Sequence, residues 1–513
     1  MLTKHAHQRT SFKRCLLIIG ILFLISIIVF WYFSDHLPRY QYQFNLVVES
    51  TLSSRPESTT TAVTIQEWSI QDWVRQYNVT HLFDWTWHKN GDYKRCHIPP
   101  SYTSKFIPRK LTSTVVVHDT YAYFRSHPDE GCIVDSAPTL PNPIPHPIPR
   151  ARSWPETCAA LNISHSWILC FLPQSEVGKY LPTTTHFVAT ATFNAFVDKG
   201  HCSTDVPGTV FTEHATFHPQ GWVNARCAVD PITRLPLIKP KNRHIELIDS
   251  LGVYLSAPGH FAPQQLPRLL RLLAVAPTTA KVLVAKGGIA DLLVDVLVER
   301  GVVTRDRIIP FEKGRYADHF ANIVYHSESW PYQWNQTHSN SLHDRTDMQL
   351  VHRVLTGYGD QPSTEKRNRV ILIKRKPGHA RALIQHEDVA AFMKSEISKS
   401  NLSSTLHFEV FTAQGHIGDH IALFRQARII VAPHGAGLMN CLWASPRTYV
   451  VEIGYSTGML LPQMYAEMSL HLDHNYWLCK GRGDYGSPIH VDMQDFAYIF
   501  NEILQEIKSN NQF

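Results

Sequence analysis

An uncharged apolar run near the N-terminus constrains this 513-residue chain more than any other feature. It extends from Cys15 to Phe33, and as an α-helix of about nineteen residues it would span ~28 Å, close to the ~30 Å hydrocarbon core of a bilayer. Basic residues are concentrated before the run, which favours a cytoplasmic N-terminus. A cleaved signal peptide is the alternative, but no small-residue cleavage site follows the run. We therefore predict an uncleaved signal anchor, with most of the chain in the lumen of the secretory pathway.

The cysteines and the glycosylation sequons agree with a luminal address. Nine cysteines include Cys15 in the apolar run, and the remaining eight could form a full set of disulfides in an oxidising compartment. Asn-x-Ser/Thr sequons occur at Asn78, Asn162, Asn335 and Asn401. The net charge of +6 is scattered along the chain and forms no basic block, so nucleic-acid binding is not expected. These features predict a membrane-anchored, disulfide-bonded glycoprotein.

Composition divides the chain into six segments. The first three are a cytoplasmic tail (1–14), the transmembrane signal anchor (15–33) and a stalk rich in serine and threonine (34–63). A cysteine-rich luminal region (64–240) follows, and then two halves with α/β patterns (241–365 and 366–513).

Strand and helix patterns alternate through the two halves. Short apolar runs predict buried strands at 244–249, 281–285, 307–311, 322–327, 369–375, 406–412, 428–433 and 449–454. Amphipathic stretches predict helices at 260–275, 287–301, 387–399, 415–427 and 495–507. Near-continuous apolar strands separated by helices are typical of parallel sheets covered on both faces. We therefore expect an α/β fold of two Rossmann-like halves with a cleft between them.

A glycine-containing turn follows the strand predicted at 428–433. It consists of His434, Gly435, Ala436 and Gly437. In an open α/β sheet, ligands bind beyond the carboxyl ends of the strands. Glycine permits a close backbone approach and the following helix presents free N–H groups, so the turn suits an anion such as a pyrophosphate. It is neither a Walker A motif nor a G-x-G-x-x-G motif, so the turn lacks the sequence fingerprints of ATPases and dehydrogenases.

The stretch RIIVAPHGAGLMNCLWASPRTYVVEIG at 428–454 resembles the signature of glycosyltransferase family 61. This family includes EGF-domain and protein-O-mannose N-acetylglucosaminyltransferases and plant xylosyl- and arabinosyltransferases. Two upstream segments, LSAPGHFAPQQLPRLL and VILIKRKPGHARALIQHEDV, resemble the family's Gly-His-Phe helix start and its strand ending in arginine. His386 stands where the family usually has asparagine. The resemblance covers roughly 250–480 and implies a GT-B fold, an inverting mechanism and a nucleotide-sugar donor, usually a UDP-sugar.

Cations are expected to bind the diphosphate of such a donor. No Asp-x-Asp sequence, a common metal-binding motif of transferases, occurs in the chain. Arg375, Lys376 and Arg381 follow a predicted strand end, and arginine's planar fork suits phosphate. Glu452 ends another predicted strand and could accept hydrogen bonds from a ribose, with a buried ion pair as an equal alternative. We expect no metal site and no cofactor besides the UDP-sugar donor.

His260 and Asp419 are the candidate general bases that would deprotonate the acceptor hydroxyl. His260 starts a predicted helix, and an imidazole titrates near the working pH. The alternative for His260 is a structural role as a helix cap or a core residue. Asp419, together with His416, is the second choice.

Together these features predict an inverting transferase of the endoplasmic reticulum or Golgi membrane that acts on a glycoprotein or glycan. The expected sugars are N-acetylglucosamine, xylose and arabinose, in that order. An inactive carbohydrate-binding or scaffolding protein is the alternative, and a sulfotransferase would need a phosphosulfate loop that is not evident.

Overall fold

Two β-sheets form the framework of the part of the chain that the structure describes. The computed structural model describes residues 115–117, 120–136, 149–164, 167, 170, 188–197, 208–212, 214–217, 242–252, 258–311, 319–328, 345–357, 367–459 and 461–510. The predicted cytoplasmic tail, signal anchor and stalk lie outside these residues. Among the described helices, none has the length and apolar character needed to cross a membrane.

The first sheet takes strands from both sides of residue 240. Its strands are β1 (Val115–Val117), β2 (Gly131–Ser136), β3 (Val188–Val197), β4 (Val210–Phe211), β5 (Ala215–Phe217), β6 (Asn242–Asp249), β7 (Lys281–Ala285), β8 (Ile308–Phe311) and β9 (His319–Glu328). They follow the order β1-β5-β4-β3-β9-β6-β7-β8, with β2 beside β3. β9, β6, β7 and β8 are parallel, whereas β3 pairs antiparallel with β2 and β9. Strands of the cysteine-rich region therefore extend the sheet built by residues 242–328, which the sequence did not indicate.

The second sheet is entirely parallel. Its strands are β10 (Arg369–Ile373), β11 (His407–Phe411), β12 (Ala427–Pro433), β13 (Tyr449–Ile453) and β14 (Asn475–Cys479), in the order β11-β10-β12-β13-β14. A short hairpin, β15 (Gly481–Arg482) and β16 (His490–Val491), follows. All residues of β13 are buried, as expected for a strand covered on both faces. The predicted parallel strands of the C-terminal half are thus confirmed.

Helices connect the strands of both sheets. They are α1 (Thr120–Ser126), α2 (Trp154–Ala160), α3 (Leu266–Val275), α4 (Ile289–Glu299), α5 (Arg345–Thr356), α6 (His386–Lys399), α7 (Ile417–Arg425), α8 (Met464–His471) and α9 (Met493–Asn510). The helix predicted at 260–275 is irregular at its start, with a single α-turn at Pro258–His260 and a π-helical turn at Phe261–Gln265. Pro263 lies inside that π-helical turn and Pro267 at the start of α3, and a proline has no N–H for regular helical bonding.

One segment of the cysteine-rich region packs on the second sheet. Arg150 pairs in parallel with Trp477 of β14, and the indole of Trp167 donates to the carbonyl of Leu461 at 2.5 Å. A disulfide joins Cys158 to Cys170 within this segment.

The two C-terminal cysteines, Cys441 and Cys479, are buried free thiols. The expectation that every luminal cysteine could be paired is therefore wrong. Cys441 lies in a 3₁₀ helix, Ala436–Trp443, whereas Cys479 ends β14, so each fills the core from a different element.

Candidate active site

The turn after β12 presents backbone N–H groups at the carboxyl edge of the second sheet. The backbone N–H of His434 donates to the carbonyl of Ile453 at 2.9 Å, which ties the turn to the end of β13. Gly435 has φ +146°, a conformation that L side chains rarely adopt. The 3₁₀ helix starts at Ala436, and the first N–H groups of a helix have no acceptor within it. Ala436 and Gly437, which the sequence analysis singled out, therefore stand where a helix start leaves N–H groups without an acceptor in the helix.

Two arginines from the segment after β10 converge on Gly435. A Cβ placed on residue 435 would lie 3.4 Å from Cζ of Arg375 and 4.0 Å from Cζ of Arg381. Arg381 has φ +60°, uncommon for an arginine, and its guanidinium stacks on the ring of Tyr485 at 4.1 Å. Backbone strain of this kind clusters at functional sites. The structure thus brings both predicted arginines to the predicted anion-binding turn.

The neighbouring lysines lie differently. Lys376 is exposed, and no contact in the described part of the chain joins it to the Gly435 turn. Lys374 pairs with Glu387 at the start of α6, at 2.7 Å. The two arginines are therefore the cations that reach the turn.

A buried hydrogen-bond chain holds the side chain of His434. Its Nδ1 lies 2.5 Å from Oε1 of Glu452, and the hydroxyl of Tyr476 donates to the second oxygen, Oε2, at 2.7 Å. Glu452 is fully buried, and both its oxygens are engaged by the protein. This geometry favours the buried-pair alternative for Glu452 over the ribose contact. Glu452 fixes the orientation of the imidazole, as carboxylates do for metal-bound and catalytic histidines.

The first helix of the 258–275 segment meets this turn from the side of the first sheet. A Cβ on Gly259 would lie 2.9 Å from the Tyr465 hydroxyl and 3.6 Å from Cα of Ala436, so a side chain there would displace the Tyr465 hydroxyl. His260 follows directly, half-buried, with Nδ1 3.2 Å from Oε1 of Gln264. Burial lowers the pKa of His260, the hydrogen bond with Gln264 opposes this shift, and the charge of nearby His434 adds to it. His260 and His434 are thus neighbours, although they are distant in sequence.

Asp419 and His416 lie beyond the end of β11, on the same edge of the sheet. His416 is the N-cap of α7: its Nδ1 accepts the backbone N–H of Gly418 at 3.1 Å. Asp419 is exposed in the first turn of α7, where a carboxylate interacts favourably with the helix dipole. Both have local structural roles, and no described contact connects them with His434 or the arginines.

Aromatic side chains that the sequence analysis did not single out surround His434. The imidazole lies edge-on to Tyr465 at 5.2 Å and to Tyr455 at 5.6 Å, and Tyr455 in turn contacts Tyr485 at 5.7 Å. Burial is the main cause of the raised pKa of Tyr455 and Tyr465, so both hydroxyls stay protonated. Tyr455 follows β13, Tyr465 lies in α8 and Tyr485 lies between β15 and β16. No spacing in the sequence predicts that they meet.

The site groups cations and N–H donors at one turn. Two guanidinium groups, an imidazole and helix N–H groups face one turn, while the nearest carboxylate, Glu452, lies behind His434. Phosphate recognition uses this combination of arginine and helix N-terminus. Within the described ranges, no three His, Cys, Asp or Glu side chains are grouped to hold a metal, and metal independence stays a prediction.

Comparison with known proteins agrees with this assignment. The family model described as Glycosyltransferase 61 matches residues 258–451, a stretch that contains His260, Arg375, Arg381 and the His434 turn. No curated protein matches the chain significantly. The resemblance noted in the sequence is thereby confirmed, and residues 258–451 are a glycosyltransferase family 61 region.

Proposed function

We propose that this protein is an inverting glycosyltransferase that moves a sugar from a UDP-sugar to a hydroxyl of a glycoprotein or glycan. The observation that carries the proposal is the convergence of Arg375, Arg381 and His434 on the N–H groups that start the 3₁₀ helix. The family 61 region supports glycosyl transfer as the general activity.

The arginines and the turn would bind the diphosphate of the donor. Negative charge increases on the diphosphate as its bond to the sugar breaks, and fixed cations and N–H dipoles lower the energy of that transition state. Glu452 accepts from Nδ1 of His434, so Nε2 is left to face the ligand. When the ring is protonated, Nε2 can donate a hydrogen bond to a phosphate oxygen. No metal is required in this scheme.

His260 is our first candidate for the general base. Its lowered pKa keeps the imidazole neutral near pH 7, the form that can accept a proton. In the neutral ring, Nδ1 donates its proton to Oε1 of Gln264, so the lone pair that can accept a proton lies on Nε2. The acceptor oxygen would attack the anomeric carbon as its proton passes to His260 and the bond to the UDP oxygen breaks, which inverts the anomeric centre. Asp419 is the second candidate.

Three further features belong to this proposal. The two sheets would be the halves of a GT-B fold, with the donor bound at the carboxyl edge of the second sheet. The apolar run at 15–33 would anchor the protein in the endoplasmic reticulum or Golgi membrane with its catalytic part in the lumen. N-acetylglucosamine is our first choice of sugar, followed by xylose and arabinose.

The release of UDP from a panel of UDP-sugars tests this function. The full chain, expressed in a secretory host and purified in detergent, is incubated with each donor with and without EDTA, and with candidate glycan acceptors. We expect slow hydrolysis of one donor, faster turnover with an acceptor, no effect of EDTA, and loss of turnover in Arg375→Ala. A folded protein that binds UDP but never releases it from any donor would favour the inactive carbohydrate-binding alternative.

A further inference from the structure

Three arginines meet at the edge of the second sheet opposite the candidate active site. Arg367 lies two residues before β10, Arg428 is the second residue of β12, and Arg447 lies two residues before β13. These strands are neighbours in the order β10-β12-β13, and adjacent strands are ~4.8 Å apart. The His434 turn lies at the other end of the same strands, ~17 Å away for a strand of five residues. We call these three residues the edge arginines.

The backbone is irregular at two of the three positions. Residues Ala427 and Ile429 of β12 pair with the consecutive residues Arg369 and Val370 of β10, so Arg428 is an extra residue at a shift in register. Such bulges re-aim a side chain. Arg447 has φ +65°, the left-handed conformation that costs about 1 kcal/mol or more for a residue with a Cβ. The chain thus departs from regular geometry where it places these side chains.

The edge arginines repel one another and have no carboxylate partner among the described residues. The pKa of Arg367 is lowered to about 10, first by burial and then by the charges of Arg428 and Arg447. Its Nη2 donates only to the hydroxyl of Thr448, at 3.2 Å, and its buried Nε has no hydrogen-bond partner in the described part of the chain. Arg428 lies over the ring of Tyr449 at 5.8 Å, which adds no negative charge.

Two acidic residues near the edge arginines are engaged by other groups. Asp473 receives two hydrogen bonds from Arg345, at 2.8 and 3.0 Å, although Arg447 also contributes to its local field. Glu506 pairs with Arg150 and accepts from the Tyr449 hydroxyl at 3.0 Å. The local charge is therefore positive, and the protein's own carboxylates leave it unbalanced.

From this arrangement we infer that the edge arginines form an anion-binding site for a sulfate or phosphate group. A tetrahedral oxyanion presents several oxygens, and arginine donates to such oxygens in pairs. Binding would relieve the repulsion among the three guanidinium groups. The group could be a dissolved ion or could be carried on an acidic glycan. In either case the site is separate from the diphosphate site at Gly435 and does not depend on the proposed transfer reaction.

The test is the thermal stability of the full chain during a titration with sodium sulfate at constant ionic strength. The variant is Arg428→Gln combined with Arg447→Asn, because asparagine tolerates the left-handed conformation at 447. Arg305→Gln is the matched control, since Arg305 is an exposed arginine of the first half that pairs with Asp295. We expect wild type and control to show a saturable rise in Tm at millimolar sulfate. Loss of even one guanidinium should weaken sulfate binding at least ~10-fold.

A second measurement, the stability without sulfate, separates loss of binding from loss of folding. Without sulfate at low ionic strength, the double variant should be at least as stable as wild type because the repulsion is gone. If it does not fold, Arg428→Gln and Arg447→Asn are measured singly, with the same expectation of weaker sulfate binding. A heparin-derived tetrasaccharide that binds much more tightly than inorganic sulfate would assign the site to a glycan, and equal affinity would assign it to the free ion. An identical sulfate response in wild type and both single variants would overturn the inference, because general salt exclusion acts on all variants alike.

Discussion

Replacing Gly435 with alanine should lower the affinity for UDP by more than a loss of stability alone would explain. The new Cβ would collide with Nη1 of Arg375 and lie 3.4 Å from its Cζ, so the guanidinium must move away from the turn. A residue with a side chain at φ +146° also stores backbone strain, on the order of 1–3 kcal/mol. Charge-assisted hydrogen bonds from one arginine are worth ~1.5–3 kcal/mol, so displacement of Arg375 should weaken UDP binding ~10- to 150-fold.

Gly287→Ala is the matched control for this variant. Gly287 has φ +99°, and no atom lies within 4 Å of a Cβ built there. Gly287→Ala should therefore lose stability through strain but keep the wild-type affinity for UDP. The assays are thermal unfolding for stability and isothermal titration calorimetry with UDP for affinity. Full UDP affinity in Gly435→Ala would refute the placement of Arg375 over the turn as the basis of diphosphate binding.

Three further predictions concern hydrogen bonding and protonation. Tyr476→Phe removes one of the two bonds to Glu452, worth ~1 kcal/mol, and should weaken UDP binding several-fold in calorimetry while the protein stays folded. His260→Gln should lower kcat for UDP release by about 10² or more with little change in KM for the donor, whereas Asp419→Asn should leave both unchanged; the reverse pattern would make Asp419 the base. Burial lowers the pKa of His326 to about 3, so the unfolded chain binds a proton below pH ~6.5 that the folded chain does not. Stability should fall by about 2 kcal/mol between pH 6.5 and 5 from this residue, and denaturant unfolding of His326→Gln should show a shallower loss.

Much of the fold could be predicted from the sequence pattern because most strands of the C-terminal half are buried on both faces. β10, β12 and β13 each contain a run of at least three consecutive apolar residues. The amphipathic pattern around α7 and α9 located those helices. The extension of the first sheet by β3 could not be predicted in this way. Its pairing with β9 joins residues more than 120 positions apart, and no local pattern specifies such a partner.

The site followed a similar division. Arg375 and the His434 turn could be singled out because each lies within two residues of a strand end, where ligands bind in such sheets, and Arg381 because it lies in the segment that follows β10. The role of Glu452 could not, since it depends on Tyr476 of the neighbouring strand and on the burial of both side chains. The contact of Gly259 with Ala436, which brings His260 to the turn, is likewise visible only in three dimensions.

The most direct test of the central claim is calorimetric titration of the full chain with uridine, UMP and UDP in the presence of EDTA. If the Gly435 turn, Arg375 and Arg381 bind the diphosphate, affinity should rise at each added phosphate, and Arg375→Ala should remove most of the gain from UMP to UDP. Equal affinity for uridine and UDP, or a gain that survives in Arg375→Ala, would contradict the account.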